Sequence, residues 1–203
     1  MKSRAFIQKL VGTAILTAVV LCLQLFLGSI KLGPFNITFT LIPMILGAIL
    51  YGAVSAAFLG LVFGIMVCFS VVSGSDAGGF ILFSQKPFLT LFLVLLKSTA
   101  AGYLSGLAAG FLRKKSQLKV TKVLLPAILA PIVNTGIFIA GLLLFFQDTL
   151  KMWAMGAPII DYLLFSILGV NFVMEFTVNL LLIPVILRIL EGIHLTKTEL
   201  EEQ

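Results

Sequence analysis

The chain has 203 residues, 60% of them hydrophobic and 11% charged, with a mean hydropathy of +1.18. That much apolar surface excludes an ordinary soluble domain and points to a polytopic membrane protein. Fourteen basic residues against eight acidic ones give a net charge of +6, but most cations lie between or beside apolar runs, as topology signals do, which argues against a nucleic-acid surface.

Residues 1–9 are short and basic (Lys2, Arg4, Lys9), and a first span follows over about 10–27. The apolar run is longer than the hydrophobic region of a signal peptide and no small-x-small cleavage site follows it, so it reads as a retained helix. Residues 28–39 form a turn-rich loop containing Gly33-Pro34. The run 41–51 is too short to cross a bilayer alone and continues through Gly52 into 53–72, as a tight hairpin or a broken pair. Pro43, Gly47, Gly52, Gly60 and Gly64 recur here with Ala48, Ala53, Ala56 and Ala57. Small residues at such spacing allow close backbone approach, which matters where lipid supplies no hydrophobic force between helices.

Residues 73–87 read as a polar, Gly-rich loop with an apolar tuft at Phe80–Phe83, more a lid than a packed element. A fourth span, 88–112, carries Lys97 and a small-residue face of Ala101, Gly102, Ser105, Gly106 and Ala109. After the basic loop Arg113, Lys114, Lys115, Lys119 and Lys122, a fifth span (123–146) contains Pro126, Pro131 and Asn134-Thr135-Gly136. A short loop at 147–158 holds Trp153, an interfacial anchor by residue type. The sixth span covers 163–187, and the tail ends in Glu199, Glu201 and Glu202.

The expected fold is therefore an all-α integral membrane protein, a single six-transmembrane-helix bundle over residues 1–203. Lys2, Arg4, Lys9, the cations of 113–122, Arg188 and Lys197 share one side, against Lys31, Lys86 and Lys151 on the other. The positive-inside rule then puts both termini in the cytoplasm and turns the loops 28–39 and 73–87 outward.

Within the sixth span, Asn171, Glu175 and Asn179 are spaced i, i+4, i+8 and fall along one helix face. A carboxylate near the bilayer centre costs roughly 2.5–3.5 kcal/mol on insertion scales, so it must face a bundle interior or a cavity and have a partner there. Lys97 sits about three residues outward of the middle of its span, roughly 5 Å. Asn134 and Glu175 are near the middle of theirs, and Asn171 lies about one turn further out than Glu175. Two readings stand side by side. One is a buried Lys97–Glu175 pair with asparagines joining helices. The other is a substrate-binding pocket built from Lys97, Asn134, Asn171, Glu175 and Asn179. Pro34, Phe35 and Asn36 of the first loop and Gly78, Gly79 and Gln85 of the second would then be its lid residues.

Catalytic chemistry has little support. His194 is a solitary histidine in the tail, Cys22 and Cys68 lie inside apolar runs, and no GxxxxGK[ST], HExxH or GxSxG occurs. No enzyme activity, metal or cofactor is expected of this chain.

Six spans in about 200 residues, with no nucleotide site, resemble the substrate-binding S component of an energy-coupling-factor (ECF) vitamin transporter. Ala14-Ile15-Leu16-Thr17-Ala18 matches the family's AxxxA motif in the first helix. The run from Ile37-Thr38-Phe39-Thr40-Leu41-Ile42-Pro43 to Tyr51-Gly52, and on through Gly60 and Gly64, resembles the second and third helices of the pantothenate-type group. The resemblance implies a vitamin held in the outer half between the late helices, under the loops after helices one and three. It implies docking through Ala14 and Ala18 on a transmembrane coupling subunit, with two partner ATPase subunits using the ATP. It also implies a prokaryotic plasma membrane, and toppling of the whole component during transfer. Pantothenate is the first choice, since Lys97 offers its carboxylate a cation and Asn134 and Asn171 suit its hydroxyl and amide groups. Hydroxymethylpyrimidine, folate or another vitamin could use similar groups. The rival classes are a stand-alone proton-coupled secondary transporter working through Glu175, and a membrane scaffold or biogenesis protein that binds no small molecule.

Overall fold

The computed structural model describes residues 2–27, 31–32, 35–36, 40–115, 119–163 and 172–201. In chain order these form α1 (Lys2–Leu27), a two-strand hairpin of β1 (Lys31–Leu32) and β2 (Phe35–Asn36), α2 (Leu41–Tyr51), α3 (Ala53–Val72) and α4 (Ala77–Gln85). There follow α5 (Pro87–Lys115), α6 (Lys119–Phe145), α7 (Gln147–Ala154), α8 (Ile159–Tyr162), α9 (Val173–Leu181) and α10 (Ile183–Glu201). Among the described residues four helices are long and apolar enough to cross a membrane, over Phe6–Phe26, Ala53–Val72, Pro87–Leu112 and Thr121–Phe145, and Leu41–Tyr51 is a shorter apolar helix.

The break between α2 and α3 is a single residue. Gly52 has φ +87°, a conformation that a side chain disfavours, and its N–H donates to the carbonyls of Gly47 and Ala48 at the end of α2. The centre of the bundle is the antiparallel contact of α3 with α5. Gly60 lies against the Ser98 backbone, Gly64 against Ser98 and Leu95, Gly102 against the Ala56 backbone, and Gly106 against Ala53. The small residues of the two spans are thus each other's partners, and the backbones approach as closely as their missing side chains allow. A looser contact holds α1, where Tyr51 covers Gly12 and Leu16 reaches Gly47.

Two apolar cores stack along the bundle. The main core gathers Val20, Leu41, Met44, Ile45, Leu59, Phe63, Ala101, Val123, Ala127, Ala130, Ile183 and Ile186 from α1, α2, α3, α5, α6 and α10. The cap core gathers Leu82, Leu93, Leu142, Phe146, Leu150 and Leu163, with Phe138 and Trp153 packed against it.

Residues 73–87 differ from the loop that composition suggests. After a turn, Ala77–Gln85 is a helix, started by Asp76, whose Oδ1 accepts the Gly79 N–H at 3.0 Å. Its Leu82 anchors it in the cap core, a burial that outweighs the poor helix propensity of Gly78 and Gly79. Likewise 147–158 contains α7, which turns Thr149, Leu150 and Ala154 inward and leaves Asp148, Lys151 and Met152 exposed. The sixth apolar segment is interrupted where described: α9 ends at Leu181 and α10 starts at Ile183, with Pro184 removing a backbone donor in the first turn of α10. Pro126 and Pro131 lie inside α6 and free carbonyls in the same way.

Candidate functional site

Lys97 is half-buried on α5, and its ammonium stands 4.6 Å from the centroid of the Phe138 ring on α6. Cation–π contacts contribute about 0.5–1 kcal/mol at exposed sites and about 2 kcal/mol when desolvated, so at half-buried Lys97 the ring offsets part of the cost of holding a cation among apolar helices. Phe138 and Asn134 are four residues apart, so they share a face of α6, and Lys97 and Asn134 serve the same α5–α6 interface.

Asn134 is only 4% exposed, and among the described residues its Oδ1 accepts no hydrogen bond. Asn179, on α9, is 1% exposed, and neither Oδ1 nor Nδ2 has a hydrogen-bond partner among the described residues. Helix α9 packs on α6, so both asparagines belong to neighbouring walls. A buried amide atom left without a partner costs about 1–3 kcal/mol, and native folds leave few of them. By contrast Ser98 Oγ, also buried, donates to the Val94 carbonyl at 2.9 Å.

The polar residues sit where the two cores meet. On α5, Lys97 lies between Leu93 of the cap core and Ala101 of the main core. On α6, Asn134 lies between Ala130 of the main core and Leu142 of the cap core. Asn179 directly precedes Leu180 on the main-core side. The described part of the site thus combines one cation, an aromatic face and two amides, a set suited to an anionic group flanked by hydroxyl or amide functions. Among the described residues no cluster of three or more His, Cys, Asp or Glu could hold a metal ion. Asn171 lies outside the described residues, as does the side chain of Glu175, whose backbone is in α9.

The lid residues are organised differently from a free loop. Gly78 and Gly79 are buried in the first turn of α4, and a methyl at Gly79 would lie 3.0 Å from Asp76 Oδ2. Gln85 Oε1 accepts from Thr149 Oγ1 of α7 at 2.5 Å. Next to it, Lys86 Nζ donates to the Phe145 carbonyl at 2.7 Å and stands 5.6 Å from the Phe146 ring centroid. These contacts clasp the α4–α5 corner to the α6–α7 corner over the cap core. Strand β2, which holds Phe35 and Asn36, pairs with β1 so that Lys31 faces Asn36 and Leu32 faces Phe35, and it lies against α4. Pro34 falls outside the described residues. Ala14 and Ala18 are exposed on α1, one turn apart, beside exposed Val11, Ile15 and Cys22 and away from the Gly12, Leu16 and Val20 side that meets the bundle.

Sequence reasoning missed Phe138, Thr149 and the second role of Lys86. Phe138 had a usable signal, one turn from Asn134 and at the depth of Lys97. Lys86 read only as a topology charge, and Thr149 carried no pattern.

A family model described as "ECF transporter, substrate-specific component" matches residues 8–187. No curated protein and no solved structure matches the chain significantly. The family match takes in α1 from residue 8 onward, the buried residues of both cores and Lys97, Asn134 and Asn179, and its proteins are transporter components rather than enzymes. This chain belongs to the substrate-specific components of ECF transporters.

Proposed function

We propose that this substrate-specific component captures a small water-soluble vitamin, pantothenate first among candidates, at the layer between the two cores. Lys97 would receive the carboxylate, and Asn134, Asn171 and Asn179 the hydroxyl and amide groups, with Glu175 orienting Lys97 or the ligand. The reading takes the chain as a six-helix bundle in a prokaryotic plasma membrane with both termini cytoplasmic, so that the β-hairpin and α4 cover the outer mouth. Ala14 and Ala18 would dock on the transmembrane coupling subunit, and two ATPase subunits would supply the energy for release inward. The chain itself needs no cofactor.

The observation that carries this reading is the pair of buried asparagines on α6 and α9 whose amide atoms lack hydrogen-bond partners among the described residues, with half-buried Lys97 at the α5–α6 interface. Interhelical glue would use those atoms on each other or on backbone. A ligand with matching donors and acceptors would satisfy them.

The test is calorimetry of the purified full chain against a vitamin panel led by pantothenate, repeated with Lys97→Ala. Tight binding of pantothenate that is lost in the variant supports both the capture function and the role of Lys97. Tight binding of hydroxymethylpyrimidine, folate or another vitamin instead keeps capture and discards pantothenate. Binding unchanged by Lys97→Ala returns Lys97 to a structural role. Folded protein that binds nothing on the panel overturns vitamin capture.

A further inference from the structure

The first turn of α2 leaves a hydroxyl unused. Thr40 holds the N-cap position, where a threonine side chain usually accepts the N–H of the second or third helical residue. The third is Pro43, which has no N–H, and the Thr40 side chain makes no cap bond. The residue is nevertheless 1% exposed, and Oγ1 has no hydrogen-bond partner among the described residues. Buried hydroxyls inside a helix, at Thr90 and Ser98, return their proton to the carbonyl four residues back. Thr40 stands at a helix start and has no such helical carbonyl behind it.

Depth places this hydroxyl in the layer of Asn134. Met44, one turn into α2, meets Gly60 of α3 and Gly102 of α5. Thr40 lies four residues nearer the cap core, about 6 Å, at roughly the height of Ser98 on α5. Helix α6 runs back along α5, with Gly141 against Leu93, so Asn134 stands at about the height of Ala100. The two unmatched oxygens therefore differ in height by only about 3 Å, on helices that pack against each other. The hydroxyls of Thr13 and Ser105 are unmatched too, but they lie beside Gly12 and Gly106, far from the cap core.

We propose that Thr40 Oγ1 and Asn134 Oδ1 form a subsite for an uncharged hydroxyl of the captured ligand, which donates to the amide oxygen and accepts from the threonine. The proposal rests on the capture reading above and brings α2 into a site otherwise built from α5, α6 and α9. Complementarity selects the ligand group. Asn134 Oδ1 can only accept, whereas a threonine hydroxyl donates or accepts. A carboxylate would suit Thr40 but would set oxygen acceptor against acceptor at Asn134. An ammonium would suit Asn134 but would face the positive end of α2. A hydroxyl satisfies both partners, and the dipole of α2 favours the partial negative charge on its oxygen. The contact involves no charge and does not draw on the Lys97 ammonium.

The test uses the full-length protein with Thr40→Val, which keeps the shape and removes the hydroxyl, and Thr40→Ser, which keeps the hydroxyl. Calorimetry compares pantothenate with its two deoxy analogues, each lacking one of the ligand's two hydroxyls. Thr40→Val is expected to weaken pantothenate about tenfold, and Thr40→Ser to stay within about threefold. One analogue is expected to bind wild type about tenfold more weakly than pantothenate and to lose no more than about threefold further in Thr40→Val, because its missing hydroxyl is the one the subsite takes. The unliganded melting temperature of Thr40→Val should match or exceed wild type, since the fold loses no hydrogen bond. Pantothenate affinity within threefold of wild type in Thr40→Val overturns the subsite while leaving vitamin capture intact. An equal loss for pantothenate and both analogues also overturns it, because the effect is then packing. A clear fall in the unliganded melting temperature overturns it as well, since the hydroxyl then serves the fold. Wild-type protein that binds no pantothenate overturns it together with the pantothenate assignment.

Discussion

Gly102→Ala is the most direct probe of how closely α3 and α5 approach. A methyl carbon at Gly102 would lie 2.7 Å from the Ala56 carbonyl carbon and 3.1 Å from Met44 Sδ. Ordinary contact starts near 3.4 Å, so the 2.7 Å approach falls short by roughly 0.7 Å. The obstacle at Ala56 is helix backbone, which cannot swing aside as a side-chain tip can. The helices must part, loosening the neighbouring contacts at Gly60–Ser98 and Gly106–Ala53. Overpacking of this kind costs about 1–3 kcal/mol or more, and alanine returns at most about 1 kcal/mol through helix propensity. The net expectation is a loss of about 1–2 kcal/mol, or roughly 2–8 °C in melting temperature for a chain of this size. Gly110→Ala is the control. It is on the same helix, exposed, with nothing within 4 Å of an added methyl, and should match or exceed wild type. The double variant Gly60→Ala/Gly102→Ala should lose less than the two single changes added together, since helices already parted accept the second methyl at lower cost. The assay is thermal unfolding of purified protein in detergent. A Gly102→Ala protein as stable as Gly110→Ala would refute the close approach.

Two further outcomes are expected. Asn179→Leu replaces a buried amide with two unmatched atoms by an apolar group of similar volume, so stability should hold or rise while pantothenate binding weakens. Melting and calorimetry on the same sample check it, and a clear fall in stability would show that the amide joins helices instead. Met155→Gly should stabilise by about 1 kcal/mol, because Met155 has φ +48° and ψ +36°, a left-handed conformation glycine adopts more readily. Its side chain is 94% exposed, so little packing is lost, and an unchanged melting temperature would count against the conformational argument.

The helical pairs were the most legible part of the chain. Small residues at four-residue spacing on 53–72 and 88–112 announced close backbone approach, and Gly52 marked the break that separates α2 from α3. Helix α4 was hidden because Gly78 and Gly79 sit in its first turn, where local propensity argues against a helix. The Asp76 cap and the burial of Leu82 decide otherwise, and only the first of these is visible locally. Helix α7 was hidden by its length, since two turns with a polar face look like a loop until Leu150 has a core to enter. At the site, Lys97 and the asparagines stood out because polar groups are rare in apolar runs. Phe138 did not, since one phenylalanine among 18 becomes distinctive only when a cation is placed over it.

The clasp between the α4–α5 and α6–α7 corners also sets an order of assembly during synthesis. The α3–α5 seam is complete in sequence by Gly106, so those two helices can pair while α6 is still being made. Gln85 and Lys86, however, must wait for Thr149 and the Phe145 carbonyl, about 60 residues later. Until then, Leu82 has only part of its core, because Leu142, Phe146 and Leu150 arrive with the same segment. A chain grown only as far as α5 therefore has its α3–α5 seam but an open cap, which α7 and then Leu163 fill.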